Sequence, residues 1–253
     1  MEPFLKKLIV NADDFGFTHD VNDGIVEAHR SGILTSTTIM AVGAAFDHAV
    51  SLARRNPSLG VGVHLVLVGE PGFPQTPARL LVALAARRLD VDALVEEQIR
   101  RVLAAGVRAT HLDSHKHTHL VPAVLSAVAR AAERHGIRWV RRTLPMEFPV
   151  PGLAPWSARV LARHGCRMVD RFLGFRETGR FDSAALASII RRLPGGVSEF
   201  MCHPGHCGTE LQAARTRLKQ SRQRELTALV SPEVRDAVAA AGVRLASYAD
   251  LAS

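Results

Sequence analysis

The sequence predicts an α/β fold built on parallel strands, and three observations lead there. Short apolar, β-branched runs alternate with amphipathic helical stretches along the whole chain. The residues able to do chemistry fall where those runs end. A 253-residue chain that is 47% hydrophobic and 22% charged has ordinary globular composition and material for a sizeable core. One domain spanning 1–253 is expected, because α/β barrels reach this length as a single unit. From the residues alone the sheet is either doubly wound or closed into a barrel, and both arrangements place ligand chemistry at the carboxyl ends of strands.

The elements follow in order. "KLIVNADDFG" is an apolar run that breaks into carboxylates and glycine, so it reads as a buried strand emptying into a loop. "THDVNDGIVEAHRSG" spaces Val21, Ile25 and Ala28 helically, with Thr18 or Asp20 to cap it and Gly32 to stop it. "TSTTIMAV" is strand material, "FDHAVSLARRN" a short helix and "LGVGVHLVL" a strand, before the loop "VGEPGFPQTP". Helical stretches near 78–88 and 92–105 lead through Gly106 to a strand at "RATHLD". Pro122 suits the first turn of a helix whose face is Val124, Val128, Ala131, Ala132 and His135, with "IRWV" as the next strand. Residues 145–180 carry no clear period; Pro145, Pro149, Pro151 and Pro155 suggest a semi-rigid flap there. "SEFMCH" and "VRLASY" read as strands separated by helical material with a fresh start at Ser231 and Pro232.

Composition narrows the function. The net charge of +8 comes mostly from arginine, often in adjacent pairs: Arg54 and Arg55, Arg87 and Arg88, Arg100 and Arg101, Arg141 and Arg142, Arg191 and Arg192. These read as solvated helix surface, with attraction to an anionic partner such as a membrane as the other use. Aromatics are only 5% and do not interleave with the arginines, so a nucleic-acid partner is not expected. Cys166, Cys202 and Cys207 are too few for a disulfide framework. The apolar run after "MEPFLKK" reaches charge too soon for a signal peptide or membrane span, so a cytoplasmic location is expected.

Chemistry concentrates in "THLDSHKHTHL", where His111, Asp113, His115, His117 and His119 occupy alternate positions. Further polar residues end other strands: Asp13 and Asp14, His64, and His203 after "EFMC". Imidazoles and carboxylates delivered from several strand ends suit a divalent metal, and three protein ligands leave room for water and substrate. A strand that must stop before Pro122 gives a metal only one or two ligands. Asp113 and His115 are best placed, His117 and His119 fall in the following loop, and His111 is a hydrogen-bonded core histidine. His29, His48, His135 and His164 read as surface or structural.

"NADDFG", "GVHL", "THLDSHKHTH", "MCHPG" and "SRQREL" lie in this order between residues 11 and 226. Together they resemble the YdjC-like carbohydrate deacetylases. The resemblance implies a (β/α) barrel-like fold akin to polysaccharide deacetylases and one divalent metal, Mg²⁺ or Zn²⁺ with Mn²⁺ also suitable. It also implies removal of acetyl from an N-acetylated amino sugar: a chito-oligosaccharide, an amino-sugar intermediate or a glycolipid such as an N-acetylglucosaminyl hopanoid. Carried over by position, Asp14, His64 and His115 resemble the metal ligands, Asp13 the base and His203 the acid. Arg222 and Glu225 match the family's RxxEL pattern as pocket support, and Asp113 and His117 are expected with them as substrate-binding or supporting residues. The family permits a homodimer, and a basic surface is compatible with peripheral contact at an anionic membrane.

The chemistry is reasonable on its own terms. A metal polarises an unreactive amide carbonyl and acidifies its water, a free carboxylate takes the water's proton, and an imidazole supplies one to the departing amine. That division needs Asp13 and Asp14 to depart from ideal strand geometry, in which neighbours point oppositely. Rival readings are a metal-dependent phosphoesterase, a compact zinc site in "CHPGHC", an iron oxygenase built on His111 and Asp113, and a non-catalytic basic nucleic-acid-binding module.

Overall fold

A computed structural model of the protein describes residues 5–142 and 153–251. Its strands are β1 (Lys6–Phe15), β2 (Ser36–Ile39), β3 (Gly60–Leu65), β4 (His111–Ser114), β5 (Trp139–Val140), β6 (Arg171–Leu173), β7 (Gly196–Cys202) and β8 (Val243–Leu245). The helices between them are α1 (His19–Ser31), α2 (Phe46–Arg55), α3 (Pro77–Ala85), α4 (Val91–Ala104), α5 (Pro122–Arg134) and α6 (Leu153–Arg163). They continue with α7 (Ser183–Arg191), α8 (Thr209–Ala213), α9 (Gln220–Val230) and α10 (Pro232–Ala240). Every strand pairing is parallel, in the order β5-β4-β3-β2-β1-β7-β6, with β8 on β1. The expected parallel α/β architecture is therefore present.

β1 is the central strand because it is apolar enough to be covered on both faces; all residues from Leu8 to Phe15 are buried. One edge pairs along Lys6–Ala12 with β7. The other edge is shared: Lys6–Leu8 pairs with β8, and Asn11–Phe15 pairs with β2. The sheet is curled into a half-barrel, since Arg141, directly after β5, reaches Asp13 on β1 and Glu199 on β7 with its guanidinium. A parallel bridge from Trp139 to Arg167, just before β6, draws the two edges together.

Local signals place the helices where the sequence predicts them. The Thr18 side chain accepts from Val21 N, and Pro122 and Pro232 sit in the first turns of α5 and α10. One stretch gains elements that the sequence left unassigned. The region 145–180, unassigned from sequence, contains α6 and β6, and Pro155 lies inside α6. Pro145, Pro149 and Pro151, on which the flap reading rested, fall outside the described residues. His117 and His119 lie beyond the strand, as the sequence reading expects. β4 stops at Ser114, and the kinked 3-10 segment His115–Leu120 carries Lys116 and His117 at φ of 51° and 53°. That backbone turns each following side chain in a new direction.

Candidate metal centre

The polar strand ends meet at one pocket of about 450 Å³, lined among others by Asp13, Asp14, His64, His115, His117, His203 and Arg222. Asp13 and Asp14 both face inward because β1 is irregular there. Its pairing with β2 shifts register between Ala12 and Phe15, and Asp14 has a φ of 70°. A bulge adds a residue without reversing the face, which reconciles two neighbouring carboxylates with one pocket.

Asp14 Oδ1 lies 3.4 Å from His64 Nε2 and 3.1 Å from His115 Nδ1. Donor atoms of these three residues all fall within 4.8 Å of one another. His64 is oriented from behind, with Nδ1 2.7 Å from Asp113 Oδ1, so its other nitrogen is aimed at Asp14. This carboxylate–imidazole pairing fixes tautomer and ring direction in metal sites. The second oxygen of Asp14 accepts from Arg222 Nη2, leaving Oδ1 for the centre. Asp13, His64 and Asp113 form another close group. Its carboxylates are already committed: Arg141 binds both oxygens of Asp13 at 2.8 and 2.6 Å and Asp113 Oδ2 at 2.6 Å. The donor set Asp14, His64 and His115 is thus the one that fits a divalent ion.

Electrostatics follow from burial and partners. Burial pushes the Asp14 carboxyl up, but Arg222 and the bonds from His115 and His64 outweigh it and hold it well below the carboxylate range. Asp13 is also held low: burial opposes, and Arg141 prevails with help from His64 and His203. For His64 burial acts downward, yet Asp113, Asp14 and Asp13 raise it to about 10. An ion must displace that proton in order to bind, which couples affinity to pH. His203 lies 4.0 Å from Asp13 Oδ2, and burial lowers it to about 4.

The supporting residues also arrive. Glu225 accepts from His203 N at 2.5 Å and Gly179 N at 2.6 Å, and burial raises its carboxyl to about 7. His117 packs its ring 5.0 Å from Phe175 and 5.8 Å from Phe172 and stands apart from the donor group. His111 is the core histidine expected: Nε2 is 3.0 Å from Asn11 Oδ1, and its ring stacks on Tyr248 at 3.9 Å. A Cβ on Gly62 would come 2.6 Å from that ring, so only glycine fits in β3 beneath it.

Arg141 corrects the sequence reading. As one of five arginine pairs it is expected on a solvated surface, yet it is 0% exposed and joins Asp13, Asp113 and Glu199. Glu199 and Tyr248 escaped notice as well; Tyr248 Oη donates to Glu199 Oε2 at 2.6 Å. Arginine directly after "WV" and glutamate inside the apolar strand "SEFMC" were the available signals. Other readings lose their geometry. Cys202 donates to Asn11 O, His206 pairs with Glu27, and no close donor group among the described residues includes Cys202, His206 or Cys207. His111 turns to Asn11 rather than joining Asp113.

Comparison with known proteins agrees with this architecture. The profile of the family described as YdjC-like protein matches residues 7–240. A carbohydrate deacetylase of Brevibacillus brevis is 33% identical, covering 97% of this chain and 99% of its own. One from Geobacillus stearothermophilus is 35% identical, covering 95% and 96%. The crystal structure of a proposed cellobiose-phosphate cleavage protein from Enterococcus faecalis V583 superposes with a TM-score of 0.82 at 28% identity, over 98% of this chain and 100% of that one. On the breadth of that profile match and the length of shared sequence, the chain belongs to the YdjC-like family.

Proposed function

We propose that the protein is a metal-dependent hydrolase that removes the acetyl group from an N-acetylated amino sugar. The observation that carries this reading is the convergence of Asp14, His64 and His115 beside a second carboxylate, Asp13, and a second imidazole, His203, in one pocket. Relatives described as carbohydrate deacetylases support it. Asp14, His64 and His115 would hold the ion, and two imidazoles with one carboxylate favour Zn²⁺ or Mn²⁺ over Mg²⁺. When bound, such an ion polarises an acetamide carbonyl and acidifies water.

The chain's own groups then divide the proton traffic. Asp13, fixed by Arg141 and by Asn11 Nδ2 at 3.1 Å, accepts the proton that the attacking water loses. Held so low, it is a weak base that passes the proton on. His203 starts neutral, so the proton it gives the departing amine nitrogen reaches it from the water side, across the 4.0 Å to Asp13 Oδ2. One proton thereby moves from water to amine, as hydrolysis of an amide requires. Phe17 and Phe175 supply apolar walls suited to the C–H faces of a sugar ring. Chito-oligosaccharides, amino-sugar intermediates and glycolipids are the substrate classes to examine.

The test follows acetate and phosphate together, on metal-depleted protein with single metals restored, across a panel of N-acetylglucosamine derivatives. Metal-dependent acetate release supports the proposal. Phosphate release from phosphorylated derivatives without acetate overturns it in favour of a phosphoesterase.

A further inference from the structure

Helix α3 begins for sound local reasons: the Thr76 side chain accepts from Arg79 N at 3.2 Å, and Pro77 opens the first turn. Its placement is unusual. Leu80 is its one buried residue, whereas Ala78, Leu81, Val82 and Ala85 are all exposed. These four fall at i, i+3, i+4 and i+7, a single apolar stripe turned to solvent. A helix of a water-soluble domain ordinarily turns such a stripe inward. Leu81 is 52% and Val82 65% exposed, and with Leu5 they are the exposed large hydrophobic residues among those described.

Charge within the segment that carries the stripe has one sign, with Glu70 and Asp90 just beyond its two ends. Between residues 71 and 89 the sequence has no Asp or Glu but contains Arg79, Arg87 and Arg88. All three are exposed, and their guanidinium groups have no partner among the described residues. An apolar stripe fringed by unpaired cations matches the boundary between acyl chains and anionic head groups. A second copy of the chain fits less well, because apposed stripes would bring arginine fringes together with no carboxylate in the segment to neutralise them. The segment also leaves directly from Gly69 and Glu70 in the pocket wall.

We propose that α3, with Arg79, Arg87 and Arg88, is a docking surface for the face of an anionic lipid bilayer. This does not rest on the deacetylase reading, because the contact needs neither the metal centre nor a sugar. The test is co-sedimentation of the full chain with phosphatidylcholine vesicles, with and without phosphatidylglycerol. The protein is expected to pellet with the anionic vesicles alone and to be released by salt. Leu81→Asp with Val82→Asp should abolish pelleting, and each arginine replaced by Gln should lower partitioning about fivefold. Melting temperature and turnover of a soluble substrate should match the unsubstituted protein, which separates lost docking from lost folding. Absence from the anionic pellet, equal binding to neutral vesicles, or binding insensitive to the double substitution would each overturn the proposal. So would a double variant that changes a dimer to a monomer in solution while still pelleting.

Discussion

The layer beneath the pocket and the lip around it are built on opposite terms. Below, Arg141 is fully enclosed and every direction it faces is answered by Asp13, Asp113 or Glu199, with Tyr248 closing the network from the far side. At the lip, Arg215 and Arg217 are exposed and have no partner among the described residues. A buried guanidinium with three carboxylates is tolerable only if all are mutually satisfied, so that layer cannot vary piecemeal. An unpaired surface cation can change with little consequence for the fold. The difference separates a layer that the fold cannot spare from one that it can.

Substitutions can break this contrast or sharpen it. The largest effect is expected from Asp13→Asn: kcat for acetate release should fall about 10²- to 10⁴-fold while metal content, measured by elemental analysis, is unchanged. Arg141→Ala leaves three buried carboxylates without their cation and should cost about 3–5 kcal/mol in a denaturant melt. An unshifted melt would show that the lower layer is no more demanding than the lip. Asp113→Asn keeps the shape but weakens the orienting bond to His64, and should lower metal affinity about 10- to 100-fold by competition with a chelator.

Acid provides a gentler probe of the buried layer. Burial lowers His119 to about 3 and His203 to about 4 from 6.5 in the unfolded chain. The unfolded state therefore takes up protons first. In metal-free protein, stability should decline as pH falls below about 6.5 and go on declining below about pH 4, where the unfolded chain protonates Asp13 and Asp14 before the fold does, a trend readable by thermal melts across buffers. The smallest effect belongs to the lip. Arg215→Ala with Arg217→Ala should alter KM by about two- to fivefold in a salt-dependent manner, with kcat and melting temperature unchanged.

Much of the centre was legible because chemistry sits where apolar runs stop. Asp13, Asp14, His64, Asp113, His115 and His203 all follow or end a β-branched or apolar stretch, and parallel strands deliver their ends to one place. Two things were hidden. The bulge that turns Asp14 inward is a property of pairing between β1 and β2, and no residue type announces it. Arg141 was concealed by resemblance to four other arginine pairs, since what buries it is a set of partners 28 to 128 positions away in the chain: Asp113, Glu199 and Asp13. Such partners become visible only once the sheet has curled.

The central position of β1 also dictates when the protein can become itself. Its neighbours include residues 196–202 and 243–245, so β1 stays unpaired along one whole edge until synthesis has passed residue 202. Asp13 and Asp14 ride on that waiting strand. The candidate pocket is therefore completed by long-range closure, and its birth is slow compared with that of the helices around it.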